Sequence, residues 1–124
     1  MKTVFISVPM NGRTKEAILA SQESILRKAE SYYGEDLEMV QTFLDEIPED
    51  TSKNLRVACL GMSIMKLATA DYYVGMKNPR YYNGCMVENE VAMLYDIPHW
   101  FYPMTESDFP DIWESYHNNY RSNF

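Results

Sequence analysis

Short apolar runs alternate with amphipathic stretches along this chain. The runs typical of strands cover residues 3–8, 37–43, 71–76 and 97–102, and the first is continuous and rich in β-branched residues. The stretches with apolar residues at helical spacing cover residues 14–33, 55–70, 84–95 and 106–120. Strands that alternate with helices form parallel sheets through right-handed crossovers. The pattern therefore predicts an α/β fold, a three-layer sandwich around a parallel sheet of four to five strands.

Three features of the predicted helices can be compared with the structure. In the first helix, which begins at a Thr14 cap, the apolar stripe consists of Ile18, Ile25, Ala29 and Tyr32. The second segment forms one helix or two, because Gly61 interrupts its apolar pattern. The third helix is expected to turn Val87, Val91 and Leu94 towards the core and Asn89 towards solvent.

The composition indicates a single domain over residues 1–124. With 46% apolar and 23% charged residues, the chain can bury one core. Its apolar runs are too short to span a bilayer, and its start lacks the pattern of a signal peptide. We therefore expect a cytoplasmic protein without a membrane partner. The nine methionines and ten tyrosines suit half-wet subunit interfaces as well as an ordinary core.

The charge distribution limits the classes of partner that the protein can bind. The formal net charge is −7 and the chain has no Lys/Arg cluster, whereas a protein that binds long DNA or RNA needs a basic face. A small nucleotide remains compatible, because backbone N–H groups and one arginine can hold a single phosphate. Cys59, expected in the core, and Cys85 show no zinc-ligand spacing, so we expect no metal ion and no cofactor. Signatures of nucleoside triphosphatases, dinucleotide oxidoreductases, serine hydrolases and zinc proteases are also missing.

The loop after the first strand is a candidate ligand site. In open parallel sheets a ligand binds outside the carboxyl ends of the strands, which here points to the loops 7–13, 76–84 and 102–106. The first loop precedes a helix N-terminus, where free N–H groups and the helix dipole favour an anion. Gly12 allows a ligand to approach the backbone, and the fork of Arg13 can bind a phosphate or carboxylate. The alternative is an ordinary turn with a surface arginine.

Glu88 is the strongest candidate for chemistry. It borders the apolar stripe of the third predicted helix, and the small residues Gly84 and Ala92 lie four positions away on either side. This spacing leaves open space beside the carboxylate, which can then act as a nucleophile or as a general acid or base. The alternative is an acidic residue that the helix dipole favours near a helix start.

Three further residues have a functional and a structural interpretation. A thiol at a helix N-terminus, such as that of Cys85, can be reactive, and a Cys/His pair with His99 is conceivable. His99, however, is expected at the opposite edge of the sheet. We therefore interpret Cys85 as a small, half-buried structural residue. Asp71 begins a strand and is expected to form hydrogen bonds near the preceding turn. Ser63 faces the ligand crevice if the second helix breaks before it; in an unbroken helix it is an ordinary helical serine.

An ordered set of motifs runs through about residues 1–103. It comprises Val4-Phe5-Ile6-Ser7-Val8-Pro9-Met10-Asn11-Gly12-Arg13-Thr14, Leu60-Gly61-Met62-Ser63-Ile64, Ala70-Asp71, Gly84-Cys85-Met86-Val87-Glu88 and Ala92-Met93-Leu94-Tyr95. In this set the chain resembles the nucleoside 2-deoxyribosyltransferase-like superfamily, most closely a small branch associated with phages and bacteria. The most specific part combines the Ser-x-Pro-Met-x-Gly-Arg loop with the Gly-Cys-x-x-Glu helix.

The resemblance implies a flavodoxin-like or Rossmann-like sheet and a nucleoside or nucleotide ligand. It also implies a glutamate nucleophile that attacks the anomeric carbon and displaces the base, and this glutamate matches Glu88. The expected substrate-binding residues are Ser7, Pro9, Met10, Asn11, Gly12, Arg13, Ser63, Gly84 and Cys85. Relatives build their site from two subunits, so the resemblance further implies a homo-oligomer.

Two positions depart from the pattern of the family. Its enzymes carry an aspartate that assists the leaving base at the position of Ser63, and its transferases carry an aspartate at that of Asn83. Loss of a general acid or base lowers a rate by about 10²–10⁴-fold. We expect an N-glycosidic enzyme, either a deoxyribosyltransferase or a deoxynucleotide N-hydrolase. The alternatives are a nucleotide-binding module without turnover and a structural or interaction protein.

Overall fold

Four parallel strands form the centre of the computed structural model, which describes residues 1–44 and 53–122. The strands are β1 (Lys2–Ile6), β2 (Leu37–Met39), β3 (Tyr72–Met76) and β4 (His99–Tyr102). The helices are α1 (Lys15–Tyr33), α2 (Leu55–Leu67), α3 (Asn83–Leu94) and α4 (Trp113–Ser122). The strand order is β2-β1-β3-β4, so β1 and β3 are central and the short strands β2 and β4 form the edges. The predicted alternation of strands and helices is confirmed.

Side chains from β1 pack on both faces of the sheet. Val4 and Ile6 join one buried cluster with Ile25 of α1 and Tyr116 of α4. Phe5, between them, faces the second cluster, which contains Leu67 of α2, Tyr73 of β3 and Ala92 of α3. Because successive strand residues point to opposite faces, this arrangement places helices on both sides of the sheet. The fold is a three-layer α/β sandwich of flavodoxin-like or Rossmann-like type.

Helix α1 follows the prediction except at its last turn. The Thr14 hydroxyl accepts a hydrogen bond from the Ala17 N–H at 3.1 Å, and Gly34 ends the helix in a left-handed conformation with φ of 70°. Tyr32, predicted to be part of the buried stripe, is 58% exposed. Its ring stacks flat on Trp100 with centroids 5.0 Å apart, so one face contacts β4 while the other faces solvent.

Helices α2 and α3 differ from prediction in informative ways. Helix α2 is a single unbroken helix, because an interior glycine costs only about 1 kcal/mol relative to alanine and Gly61 has open space around it. Helix α3 buries Cys85, Glu88, Asn89 and Ala92. The predicted core stripe was therefore wrong at two of its three positions: Val87 is exposed and Leu94 is 71% exposed, whereas Val91 packs, partly buried, against the second cluster. Asn89, predicted to face solvent, points into the protein.

The segment before α4 is irregular, although a helix was predicted from residue 106. Phe109 is fully buried in this segment, and Asp108 anchors it to α1. The Asp108 carboxylate accepts hydrogen bonds from Ser24, from Lys28 Nζ at 2.5 Å and from Thr105 Oγ1 at 2.6 Å. These side-chain bonds compete with regular helical hydrogen bonding, and only single backbone turns form here, as between Phe109 N and Thr105 O at 3.2 Å.

Strands β1 and β2 end earlier than predicted. Strand β1 ends at Ile6 rather than at residue 8, and β2 ends at Met39 rather than at residue 43. The polar loop predicted over residues 45–52 lies outside the described residues. None of the helices in the described part of the chain combines the length and apolar character needed to cross a bilayer.

We expect Asp108→Asn to lower the free energy of unfolding by about 1–3 kcal/mol at neutral pH, because charge-assisted bonds to Lys28, Ser24 and Thr105 are weakened. Burial alone would raise the pKa of Asp108, but these hydrogen bonds hold it below its ordinary value of 3.8. The stabilisation is therefore fully present above pH 3.8 and is lost as the pH falls through the folded-state pKa. Urea unfolding across this pH range measures the effect.

The matched control is Asp36→Asn, which changes an exposed carboxylate in the loop before β2. An equal loss of stability in both variants, or a loss in Asp108→Asn that does not shrink in acid, would contradict the anchoring role of Asp108.

Candidate functional site

The carboxyl end of β1 opens onto a cavity of about 800 Å³. We call it the edge cavity. The loop after β1 forms one wall, α2 forms a second and the start of α3 forms a third. Of the sequence-predicted site residues, the following all line it: Ser7, Pro9, Met10, Asn11, Gly12, Arg13, Ser63, Gly84, Cys85 and Glu88. The fold thus brings the whole predicted set to one place.

Glu88 lies at the meeting point of three elements. Its side chain extends from the second turn of α3 and the residue is only 8% exposed. Oε1 accepts a hydrogen bond from Ser7 Oγ at 2.7 Å, and Oε2 accepts one from Ser63 Oγ at 2.6 Å. Each carboxylate oxygen keeps one further lone pair. Glu88 is therefore fixed in orientation but retains an unshared electron pair on each oxygen.

Burial makes the charge on Glu88 costly. It raises the pKa of Glu88 above the ordinary 4.5, and the hydroxyls of Ser63 and Ser7 offset only part of this effect. The carboxylate is consequently more basic than an exposed one. Such a perturbed carboxylate beside a cavity is typical of functional sites.

Ser7 is itself firmly held. It follows the last residue of β1, its N–H donates to Val74 O at 2.8 Å, and its carbonyl accepts from the Tyr102 hydroxyl at 2.7 Å. Both β3 and β4 therefore fix the backbone that presents the Ser7 hydroxyl to Glu88. Tyr102 is fully buried, and sequence reasoning assigned it no role.

Ser63 reaches the site by a route that the sequence did not indicate. Both sequence interpretations made its place in the crevice depend on a helix break, and α2 has no break. Ser63 nevertheless faces the cavity from the middle of α2 and donates to Glu88. A hydroxyl turned towards α3 is thus compatible with a continuous helix, so the alternative of an ordinary helical serine was wrong.

Arg13 uses its guanidinium within the protein. Nε and Nη2 donate to the two carboxylate oxygens of Asp111 at 2.8 and 2.9 Å, and Nη1 donates to Pro9 O at 2.8 Å. Its side chain is 1% exposed. The fork that the sequence suggested for a ligand anion is occupied by Asp111, whose pKa is lowered by this contact. Arg13 lines the cavity, but its hydrogen bonds connect the first loop to the segment before α4.

The two cysteines differ from expectation in their burial. Cys85, expected to be half-buried, is buried, and its burial raises the pKa of the thiol to about 12. It is therefore protonated at neutral pH and unsuited to be a nucleophile. Cys59, expected in the core, is partly exposed and lines the edge cavity.

The opposite edge of the sheet has a structural role. Asp71 Oδ2 accepts from the Thr3 N–H at 2.8 Å and from Thr3 Oγ1 at 3.2 Å, which joins the starts of β1 and β3. Asp71 forms hydrogen bonds as predicted, but to Thr3 of β1 and not at the preceding turn. His99 is exposed at the start of β4 and Cys85 lines the cavity at the other edge.

Some residues that line the cavity were not singled out from the sequence. Arg56, in the first turn of α2, is exposed, and within residues 1–44 and 53–122 no ion pair engages it. Tyr81 and Tyr82 contribute rings with centroids 4.5 Å apart. The loop 76–84 was predicted to border the crevice, and these tyrosines belong to it. The loop 102–106 does not line the cavity; Ile112 and Ser115 do so instead.

The chemistry available in the cavity is limited. Glu88 is the single carboxylate among the described lining residues. No three His, Cys, Asp or Glu side chains of the described chain lie close enough to hold a metal ion. No family model, no curated protein and no solved structure matches this chain. The function must therefore be argued from the residues of the site.

We expect Glu88→Gln to raise the free energy of unfolding at neutral pH by on the order of 1 kcal/mol, because it removes a buried charge. Below about pH 4.5 both folded and unfolded Glu88 are protonated, so the two proteins should then differ little. The gain should appear as the pH rises above 4.5 and level off above the raised pKa of the folded state. Chemical unfolding at a series of pH values measures it.

Glu38→Gln supplies the control, because Glu38 is an exposed carboxylate on the edge strand β2. If Glu88→Gln is no more stable than this control above pH 7, the charge on Glu88 is not buried at a cost in free energy.

Proposed function

We propose that the edge cavity binds a nucleoside or nucleotide and that Glu88 cleaves its N-glycosidic bond. The observation that carries this proposal is a buried carboxylate, oriented by Ser7 and Ser63, at the wall of a cavity shared with the first loop. A carboxylate is a suitable nucleophile for an anomeric carbon because it stabilises the developing positive charge of the sugar and then forms an ester with it.

The proposed reaction has two steps. A Glu88 oxygen forms a bond to C1′ of the sugar while the bond from C1′ to the base nitrogen breaks, and the base leaves with the electron pair and takes up a proton from water. A water oxygen or the nitrogen of a second base then attacks C1′ and gives up a proton to water, while the ester bond breaks and Glu88 leaves as a carboxylate. With water the protein is an N-hydrolase; with a second base it is a deoxyribosyltransferase.

The cavity supports a substrate of this kind. Its volume of about 800 Å³ exceeds that of one nucleoside, which leaves room for an acceptor or for water. Tyr81 and Tyr82 offer aromatic surface for a base, and Arg56, in the first turn of α2, offers a cation. Nucleotide pools also fit the cytoplasmic location that the sequence predicts.

Base release tests the proposal. Purified protein is incubated with each common deoxynucleoside and its 5′-monophosphate, and chromatography quantifies free base. We expect release by the wild type and at least about a 10³-fold lower rate for Glu88→Gln, because the amide is a poor nucleophile. Mass spectrometry after an acid quench should detect one sugar on the wild-type chain and none on Glu88→Gln.

The same exposed residue provides the control here as well, since Glu38→Gln should retain the wild-type rate. The proposal fails if no substrate of the panel yields free base, or if Glu88→Gln retains the activity.

A second function is a binding module that holds a nucleotide without turnover. It is favoured by the absence of a second carboxylate from the described lining of the cavity, because the leaving base then has no carboxylic acid to protonate it. Ser63 and Asn83 stand where the related enzymes carry aspartates. Calorimetric binding of a nucleotide to the wild type without any product would favour this module over the enzyme.

We further propose that the partner of this chain is a second copy of itself, bound through the outer faces of α2 and α3. Large apolar side chains are exposed there, namely Val57, Met65, Val87 and Leu94. Helix α2 carries the exposed cation Arg56, whereas α3 carries the exposed Glu90 and no cation. A two-fold arrangement that packs α2 against α3 of the other copy therefore pairs opposite charges.

We expect light scattering after size exclusion to give a dimer mass for the wild type and a monomer mass for Leu94→Glu, because a charge at this position opposes burial of the face. Tyr32→Glu changes an exposed aromatic residue on the other side of the sheet and should leave the dimer intact. A monomeric wild type, or dissociation by both variants alike, would contradict this interface.

A further inference from the structure

Asn89, which follows Glu88 on α3, forms a buried link to β3. Its Oδ1 accepts a hydrogen bond from the Tyr73 hydroxyl, and its Nδ2 donates to Met76 O at 2.8 Å. Asn89 is buried and Tyr73 is fully buried. The polar atoms of this buried pair are hydrogen-bonded. The pair therefore fixes the position of α3 relative to β3, because any displacement would leave a buried polar group without a partner.

The backbone of β3 is adapted to this pair. A Cβ atom at Gly75 would lie 2.1 Å from Asn89 Oδ1 and 2.5 Å from the Tyr73 hydroxyl oxygen. Only glycine therefore allows the amide and the phenol to meet above the strand. The close approach sets both the height and the rotation of α3 over β3.

The Tyr73–Asn89 pair lies next to the site but outside the edge cavity. Neither Asn89 nor Tyr73 lines the edge cavity. Burial raises the pKa of Tyr73 well above its ordinary value. The Tyr73–Asn89 pair thus acts on the site through the backbone of α3, which carries Glu88.

We propose that Asn89 and Tyr73 are positioning residues, which hold α3 at the height where the Glu88 carboxylate meets both Ser7 and Ser63. This proposal rests on the proposed function for its kinetic consequence only. The geometry alone carries the placement, because Glu88 and Asn89 are consecutive on one rigid helix and the side chain of Asn89 is fastened to β3 at both ends of its amide.

The first test measures the carboxyl of Glu88 rather than activity. Carbon-13 NMR of labelled glutamate carboxyls, assigned with Glu88→Gln, follows its titration. In Tyr73→Phe we expect the pKa of Glu88 to fall towards its ordinary 4.5, because loosening of α3 admits water beside a carboxylate whose pKa is raised chiefly by burial. The titratable neighbours Cys85 and Tyr73 have raised pKa values and stay neutral across this range.

The matched control is Tyr33→Phe. Tyr33 Oη is also buried, but within the described residues no hydrogen bond engages it. Both variants therefore lose a buried phenol oxygen, and only Tyr73→Phe loses the contact with Asn89. Tyr33→Phe should keep the wild-type titration of Glu88.

The second test applies to the active protein. Tyr73→Phe should lower kcat by roughly 10- to 100-fold and leave KM near its wild-type value, because the pair touches no cavity surface and a displaced nucleophile loses orientation. The double variant Tyr73→Phe/Asn89→Leu removes the pair and leaves Met76 O without its donor, so it should be no more stable than Tyr73→Phe. Its kcat should also stay low, whereas a purely structural pair would leave the kcat of each folded variant at the wild-type value.

The outcomes separate the two proposals. A wild type that releases no base overturns the proposed function, and the titration of Glu88 then decides the positioning role by itself. The positioning role is overturned if folded Tyr73→Phe titrates at Glu88 like the wild type, or if the double variant regains the wild-type kcat.

Discussion

The rest of the structure depends on one constraint, the burial of the Glu88 carboxylate. Removing a charge from water costs several kcal/mol unless hydrogen bonds replace the lost hydration. Two serine hydroxyls from different elements supply this replacement only in part, since the pKa of Glu88 stays above its ordinary value. A fold that retains such a residue keeps its basicity and orientation at the expense of stability, which is the pattern of functional sites.

The elements around Glu88 serve to keep that geometry. The Ser7 N–H donates to Val74 O of β3, and the Ser7 carbonyl accepts from the Tyr102 hydroxyl of β4. The Asp108 anchor and the Arg13–Asp111 pair fasten the segment before α4 to α1 and to the first loop. Because these contacts come from sequence-distant parts of the chain, the site exists only after the sheet and both helix layers have assembled.

The sequence predicts the order of elements well and the faces of α3 poorly, and the reason is physical. Periodicity locates a helix, but its inward face is inferred from apolar residues. In α3 the polar residues Glu88 and Asn89 face inward because they have buried partners on β1, α2 and β3, while Val87 and Leu94 remain outside. Those partners lie 13 to 81 positions away along the chain. Glu88 was still identifiable because small residues flank it on its helix, whereas Tyr73, Tyr102 and Asn89 gave no such local signal.

Arg13 illustrates why a motif does not fix the role of a residue. The loop presents an arginine beside a helix N-terminus, a local pattern that suits a phosphate. The folded chain satisfies the same fork with its own Asp111, and an anionic ligand would have to displace a bidentate, largely dehydrated pair to use it. Arg56 faces no such competition among the described residues, and it lines the same cavity as Glu88. An anionic group of a ligand would therefore bind more readily at the exposed Arg56 than at Arg13, which is already paired with Asp111.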